Sequence, residues 1–195
     1  LNTTDFHFIV AFSIVLVLII TIMCYLFPVK NVKLSEEHIK ALNKSSFDSF
    51  IEKKALFIAF MAFLMGLSYS SVLAFLSSYV KVIDLVQVSS LFFVVYALVI
   101  TFTRPLSGKI FDNLGEKFVM YPSYLFLSAG LILLSMTTSS WLLLISGGVI
   151  GLGYGTFMSN GQAVSLKTVK DEHRISVALS TYFIGLDLGL GIGPY

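Results

Sequence analysis

Six long apolar runs limit what this chain can fold into. They occupy residues 6–27, 55–80, 86–103, 118–136, 141–166 and 175–195. A helix that crosses a bilayer needs about 20 mainly apolar residues, and the runs match that requirement. The other spanning structure is a closed barrel, whose strands alternate apolar and polar residues. Because the runs lack this alternation, the sequence predicts an all-α membrane protein with six transmembrane helices.

The composition supports this class and excludes others. Charged residues make up 12% of the chain, whereas soluble proteins carry about 25%. Cys24 is the only cysteine, which excludes an internal disulfide, and no metal-ligand pattern surrounds it. We therefore expect no metal and no cofactor. The expected surroundings are a lipid bilayer, and a nucleic acid is not expected as a partner.

The basic residues predict the orientation of the helices. Of the 13 lysines and arginines, all except Lys81 fall in three connections, at residues 28–54, 104–117 and 167–174. Cytoplasmic loops carry the excess of basic residues, so these connections are predicted to be cytoplasmic. Because the chain begins with Leu1 and ends in an apolar run, we expect a fragment of a longer protein. The connection 28–54 is either a helix on the membrane surface or a flexible linker.

A short charged segment, RPLSGKIFDNLGEK, separates the third and fourth runs. Gly108 would let another helix approach closely. Asp112 can cap a helix N-terminus, where the dipole favours negative charge. Gly115 suits the positive φ of a sharp turn, and Lys117 can lie among lipid headgroups. The sequence thus predicts a structured turn between two spans.

The spacing G-x-x-x-D-x-x-G-x-K resembles motif A of the major facilitator superfamily of transporters. Arg104, which is followed by a proline just before this spacing, also resembles the sequence that precedes motif A in the family. Asn113 and Glu116 replace basic residues of the motif, as in the weaker copy of the C-terminal half. The order of runs is similar to spans six to eleven of twelve. The resemblance implies that residues 1–27 end the N-terminal half, 28–54 form the central loop, and 55–195 begin the C-terminal half.

The resemblance also implies a role for this segment. Arg104, Gly108, Asp112, Gly115 and Lys117 would form a conformational latch at the cytoplasmic face. In such a latch, the aspartate contacts a helix end of the other half of the transporter. The missing N-terminal half of the same chain is therefore an expected partner.

Asp187 is the only formally charged residue well inside a predicted span. A carboxylate at that depth costs about 2.5–3.5 kcal/mol on insertion scales. Gly185, Gly189 and Gly193 lie on a different face of the helix and can pack against a neighbour. We therefore expect Asp187 to face a watery cavity and to carry a proton or contact a substrate. The alternative is a hydrogen bond that supports helix packing.

Small residues at four-residue spacing predict close helix contacts in two runs. In the last run, Gly189, Gly193 and Pro194 resemble the G-x-x-x-G-P core of motif C, which is associated with antiporters of this family. The other set, in the fifth run, consists of Gly147, Gly151 and Gly155. Four polar residues are further candidates for a cavity wall, although the two amides suit helix–helix bonds equally well and Tyr69 also suits a belt at the membrane interface. They are Tyr69, Tyr154, Asn160 and Gln162.

The resemblance implies a secondary transporter that works by alternating access. The motif C-like stretch favours proton-coupled export of drugs or other small molecules, and the loops fit a bacterial plasma membrane. Uptake or exchange of a metabolite by the same fold is the alternative, and a passive channel or membrane scaffold is the alternative from another class. We do not expect an enzyme, since His7 lies at the wrong rim of the membrane to serve Ser68 and no catalytic cluster is apparent.

Overall fold

The computed structural model describes residues 3–27, 50–169 and 174–195, and their regular elements are all helices. Five helical segments are long and apolar enough to cross a membrane, and the first helix adds the shorter apolar stretch Val10–Leu26. The prediction of an all-α membrane protein is confirmed. The helices are α1 (Thr3–Leu26), α2 (Leu56–Val82), α3 (Ser89–Leu114), α4 (Lys117–Ser135), α5 (Ser140–Ile150), α6 (Thr156–Lys167) and α7 (Ile175–Ile192), and a π-helical turn, Gly151–Gly155, joins α5 to α6.

The chain divides into two compact units, Leu1–Lys44 and Ser45–Tyr195. The described part of the first unit consists mainly of α1, which has 24 residues. At 1.5 Å per residue it is about 36 Å long, enough to cross a hydrocarbon core of about 30 Å. Most of the connection 28–54 lies outside the described residues, so both interpretations of it stay predictions.

In the second unit, α2 and α7 pack along their lengths. Glycines make this close approach possible. A Cβ on Gly66 of α2 would touch the backbone of Leu186, and a Cβ on Gly189 of α7 would collide with the carbonyl oxygen of Phe63. By contrast, a Cβ on Gly191 would meet nothing within 4 Å. One face of α7 is thus fixed against α2, while another stays open.

The segment α5–π turn–α6 packs on both α3 and α4. The sequence predicts one continuous α-helix here, and the π turn is a difference from that prediction. Three glycines in five residues weaken an α-helix, and close packing on two neighbours favours the wider turn. Gly153 lies against the backbone of Leu127 in α4. On the other side, Gly147, Gly151 and Gly155 lie against Phe92, Tyr96 and Ile100 of α3.

Helix α3 extends further than predicted. The third span was expected to end at residue 103, but α3 continues to Leu114 and leaves a two-residue turn before α4. Its 26 residues give a length of about 39 Å, which carries the polar last turns beyond a hydrocarbon core of about 30 Å. Pro105 lies inside the helix. Nearby, the Ser107 hydroxyl donates to the carbonyl of Arg104 at 3.1 Å.

A buried carboxylate connects the start of α2 to the start of α7. Glu52 is 6% exposed and accepts a hydrogen bond from the guanidinium of Arg174. The backbone N–H of Glu52 donates to the Thr181 hydroxyl at 2.9 Å, and Arg174 also donates to the carbonyl of Ile51. The Arg174 guanidinium holds the pKa of the Glu52 carboxyl below its usual range, although burial opposes this.

Candidate functional site

Three tyrosines stack where α2, α3 and the π turn meet. The rings of Tyr69 and Tyr154 have centroids 4.0 Å apart and planes 15° apart. Tyr96 stacks on Tyr69 as well, with the two ring centroids 5.7 Å apart. Tyr69 and Tyr154 are buried, whereas Tyr96 is half-buried. Tyr96 is therefore the accessible ring of the stack, and the other two tyrosines are buried.

The π turn places Tyr154 in this stack. Gly153 and Gly155 flank the tyrosine and lie closely against α4 and α3, respectively. With no side chains of their own, they leave room for the backbone between two helices, and the Tyr154 ring reaches α2. Single π turns inside α-helices occur frequently at functional sites.

Charged groups of opposite sign interact with the two outer tyrosines. Asp187 lies on the exposed part of α7 and interacts electrostatically with Tyr154. Arg104, which is also exposed, interacts electrostatically with Tyr96. The site thus combines a carboxylate, hydroxyl groups, aromatic rings and a guanidinium. Such a set can bind and release a proton and can contact aromatic or cationic groups.

The two candidate amides have different surroundings. Asn160 is buried, and its Nδ2 donates to the Ser107 hydroxyl at 3.1 Å and to the Thr156 carbonyl at 2.8 Å. It therefore connects α6 to α3, which is the helix–helix alternative that the sequence left open. Gln162 is half-buried two residues further along α6. Neither amide belongs to the tyrosine stack.

The motif A-like residues lie on the end of α3 and on the turn after it. Gly115 has φ +95°, the left-handed conformation that glycine adopts readily. A Cβ on Gly108 would meet nothing within 4 Å, so this glycine is not packed against a described helix. Asp112 lies in the last turn of α3 and is exposed, and no side chain caps the first turn of α4. The expected capping by Asp112 is therefore not found at α4. Lys117 is exposed at the first residue of α4.

Several residues of this region were not predicted from the sequence. Tyr96 had a usable signal, because Phe92, Tyr96, Ile100 and Arg104 recur every four residues along one side of α3. For Lys167 the sequence holds no such signal. In the structure, its ammonium lies 4.0 Å from the ring centroid of Phe111 and connects the ends of α6 and α3. Contacts between distant charged segments leave no periodic trace in a single sequence.

A sequence profile described as the Major Facilitator Superfamily matches residues 3–195 of this chain. The chain is also similar to the multidrug resistance protein MdtG of Erwinia billingiae (strain Eb661), with 31% identity over 119 residues. That similarity covers 57% of this chain and 29% of the relative, so the matched part spans well under half of that protein's length. Since the profile match covers nearly the whole chain, the chain belongs to the Major Facilitator Superfamily, a family of transporters rather than enzymes.

Proposed function

We propose that this chain is part of a transporter that exports drugs or other small molecules in exchange for protons. One observation carries the proposal. Asp187 is an exposed carboxylate and the only charged residue of α7, and it lies near enough to Tyr154 to interact with it electrostatically. An ionisable residue inside a membrane helix points by default to a proton or substrate path. The name of the relative, a multidrug resistance protein, favours drugs as substrates and export as the direction.

The proposed mechanism is competition between a proton and a substrate at Asp187. With the site open to the cytoplasm, the carboxylate releases its proton, and a substrate enters that contacts both Asp187 and the aromatic stack. With the site open to the outside, a proton neutralises Asp187 and the substrate leaves. Tyr69 and Tyr154 hold the aromatic surface in place. Gln162, nearer the cytoplasmic end of α6, is a second candidate for substrate contact.

Alternating access needs a device that closes one face at a time. We assign this role to Arg104, Gly108, Asp112, Gly115 and Lys117, at the end of α3 and the turn into α4. A Cβ on Gly108 would meet nothing within 4 Å and Asp112 is exposed, so both residues are accessible for the helix-end contact that the resemblance implies. The proposed location is a bacterial plasma membrane, with this turn and the residues 167–174 in the cytoplasm.

Dye accumulation in cells that express the full-length protein tests the proposal. Cells with the wild-type protein should accumulate less of a fluorescent drug analogue than cells with an empty vector. Asp187→Asn should remove this difference, since the amide cannot carry a proton. Asp187→Glu should retain part of it, and Asp84→Asn, in the connection after α2, should behave like wild type.

The same experiment separates the alternatives. Increased accumulation with the wild-type protein would indicate uptake instead of export. Flux that ignores the proton gradient would favour a passive channel. If Asp187→Asn exports the dye as well as the wild-type protein does, the proposed role of this carboxylate is wrong.

A further inference from the structure

The end of α3 is joined to α6 by a buried hydrogen bond. Asn160 of α6 is 5% exposed, and its Nδ2 donates to the hydroxyl of Ser107 in α3 at 3.1 Å. That hydroxyl is also buried, and it donates in turn to the carbonyl of Arg104 at 3.1 Å. Because these groups are buried between helices of the second unit, the contact does not depend on what covers the outer faces of that unit.

A second contact joins the same two helices one turn further along α3. The Lys167 ammonium lies 4.0 Å from the ring centroid of Phe111, which is itself buried. Ser107 and Phe111 are four residues apart and therefore share one side of α3. Asp112 follows Phe111 directly. The side of α3 that contacts α6 thus leads into the turn that we assign to the latch.

Pro105 makes these contacts important for the position of the latch. Proline lacks the backbone N–H that would donate to the carbonyl four residues earlier, which weakens a helix at that point. Pro105 lies inside α3, three residues before Gly108. A Cβ on Gly108 would meet nothing within 4 Å, so no described helix packs against this position. Asn160 and Lys167 are therefore placed to fix the last turns of α3.

Asn160 is also connected to the π turn. Its Nδ2 donates at 2.8 Å to the carbonyl of Thr156, the first residue of α6. Tyr154 of the tyrosine stack lies two residues before Thr156, inside the π turn. One amide thus joins the segment that carries part of the stack to the helix that carries part of the latch.

We propose that Asn160 is a positioning residue that couples the tyrosine stack to the latch, so that a change in the packing of the stack moves the end of α3. The inference rests on the proposed transport function. Coupling between two sites is carried by packed and hydrogen-bonded groups that connect them, and the two bonds of Asn160 supply such a connection. Asn160 lies outside the stack, so it acts through its partners and not on the substrate.

Transport by combined variants tests this coupling. The full-length protein is reconstituted in vesicles, and the initial rate is measured for a fluorescent dye, such as ethidium, that the accumulation experiment shows to be exported. Asn160→Leu should lower the rate about three- to tenfold, the range expected for the loss of one or two hydrogen bonds between membrane helices. In the Asp112→Asn background, where the latch is already weakened, the same change should lower the rate by less than about twofold.

Ser159→Ala is the matched control. Ser159 is the neighbouring polar residue of α6, and its hydroxyl donates to the carbonyls of Gly155 and Thr156 in its own segment. This variant should transport the dye at the rate of the wild type, because it leaves the contact between α6 and α3 intact.

The possible failures can be told apart. Equal slowing by Asn160→Leu in the wild type and in Asp112→Asn would overturn the inference, because the two residues would then act independently. If Asp112→Asn alone transports as fast as the wild type, the latch assignment is wrong and the inference is wrong with it. A wild-type protein that exports no dye would instead contradict the proposed function.

A second variant keeps the test decisive if Asn160→Leu folds poorly. Ser107→Ala removes the hydroxyl that accepts from Asn160 and leaves the amide its bond to Thr156. Per molecule of folded protein, it should lower kcat by a factor similar to that of Asn160→Leu and leave KM for the dye unchanged, because the stack is untouched. A raised KM with an unchanged kcat, or no change in either, would refute the coupling.

Discussion

Two carboxylates of this chain have opposite surroundings. Glu52 is buried and held by Arg174 and by the Thr181 hydroxyl through its backbone. Asp187 is exposed on an apolar helix. A carboxylate that is fully engaged by hydrogen bonds stabilises the folded protein, whereas an open one inside a membrane helix is available for exchange. Mutations should therefore separate a stabilising acid from the one that we propose to carry a proton.

Replacing Glu52 by glutamine should lower stability. The change removes the negative charge that Arg174 faces, and a hydrogen bond to a charged group contributes about 1.5–3 kcal/mol. We expect Glu52→Gln to lower the free energy of unfolding of the detergent-purified protein by roughly this amount. Asp84→Asn, a charge removal outside the buried contact, should leave it nearly unchanged. Equal effects of the two variants would contradict the structural role of Glu52.

The same pair predicts a pH dependence. Arg174 keeps the pKa of Glu52 below its ordinary value of 4.5. A group whose pKa is depressed by folding stabilises the protein above its unfolded pKa, and this contribution is lost as pH falls through the folded value. The stability gap between wild type and Glu52→Gln should thus stay constant between pH 7 and about 5.5 and narrow only in stronger acid. A gap that closes near pH 6 would refute this.

Asp187 and Glu52 also differ in whether the sequence alone could identify them. Asp187 could be singled out because it is a lone charge in an apolar run, where its insertion cost demands an explanation. The pairing of Glu52 with Arg174 could not be predicted, because 122 positions separate the two residues and each lies among other charged residues. For Tyr96, the four-residue spacing along α3 was visible in the sequence, but its stacking on Tyr69 was not.

At the element scale, glycines set how closely the helices approach. α2 and α7 meet through backbone contacts at Gly66, Gly185 and Gly189. The π turn uses glycines in the same way toward α3 and α4. Small-residue faces of this kind allow close van der Waals packing, which drives helix association in lipid.

Alanine at Gly189 should disturb this packing. Its methyl group would collide with the carbonyl oxygen of Phe63, and overpacking of this kind typically costs about 1–3 kcal/mol. We therefore expect Gly189→Ala to lower the melting temperature of the purified full-length protein. Gly191→Ala, two residues away on the open face, should preserve it or raise it slightly. Equal melting temperatures for the two variants would mean that α2 and α7 are not held this closely.

The helices themselves could be predicted because apolar runs of this length have few structural solutions. The ends of the helices and their irregularities could not be predicted from the sequence. The polar residues after Thr103 suggested a loop, but a helix that reaches the headgroup region can keep polar side chains, and α3 continues to Leu114. The π turn escaped detection because its five residues fit the same four-residue glycine spacing as an α-helix.

At the scale of the whole molecule, the second unit places its tyrosine stack and Asp187 among four different helical segments. The segments that carry them are linked to one another by the glycine contacts and by the Glu52–Arg174 pair. We expect this unit to move as one body when the transporter changes state, because packed helices shift as groups rather than bending continuously.

Proton movement in vesicles that contain the full-length protein tests the central claim most directly. The protein is reconstituted with a pH dye inside the vesicles, a pH gradient is imposed, and a drug is added. We predict that the wild-type protein moves protons and drug in opposite directions, and that Asp187→Asn loses both movements. Drug flux that is unaffected by the gradient, or full proton exchange by Asp187→Asn, would contradict the proposal.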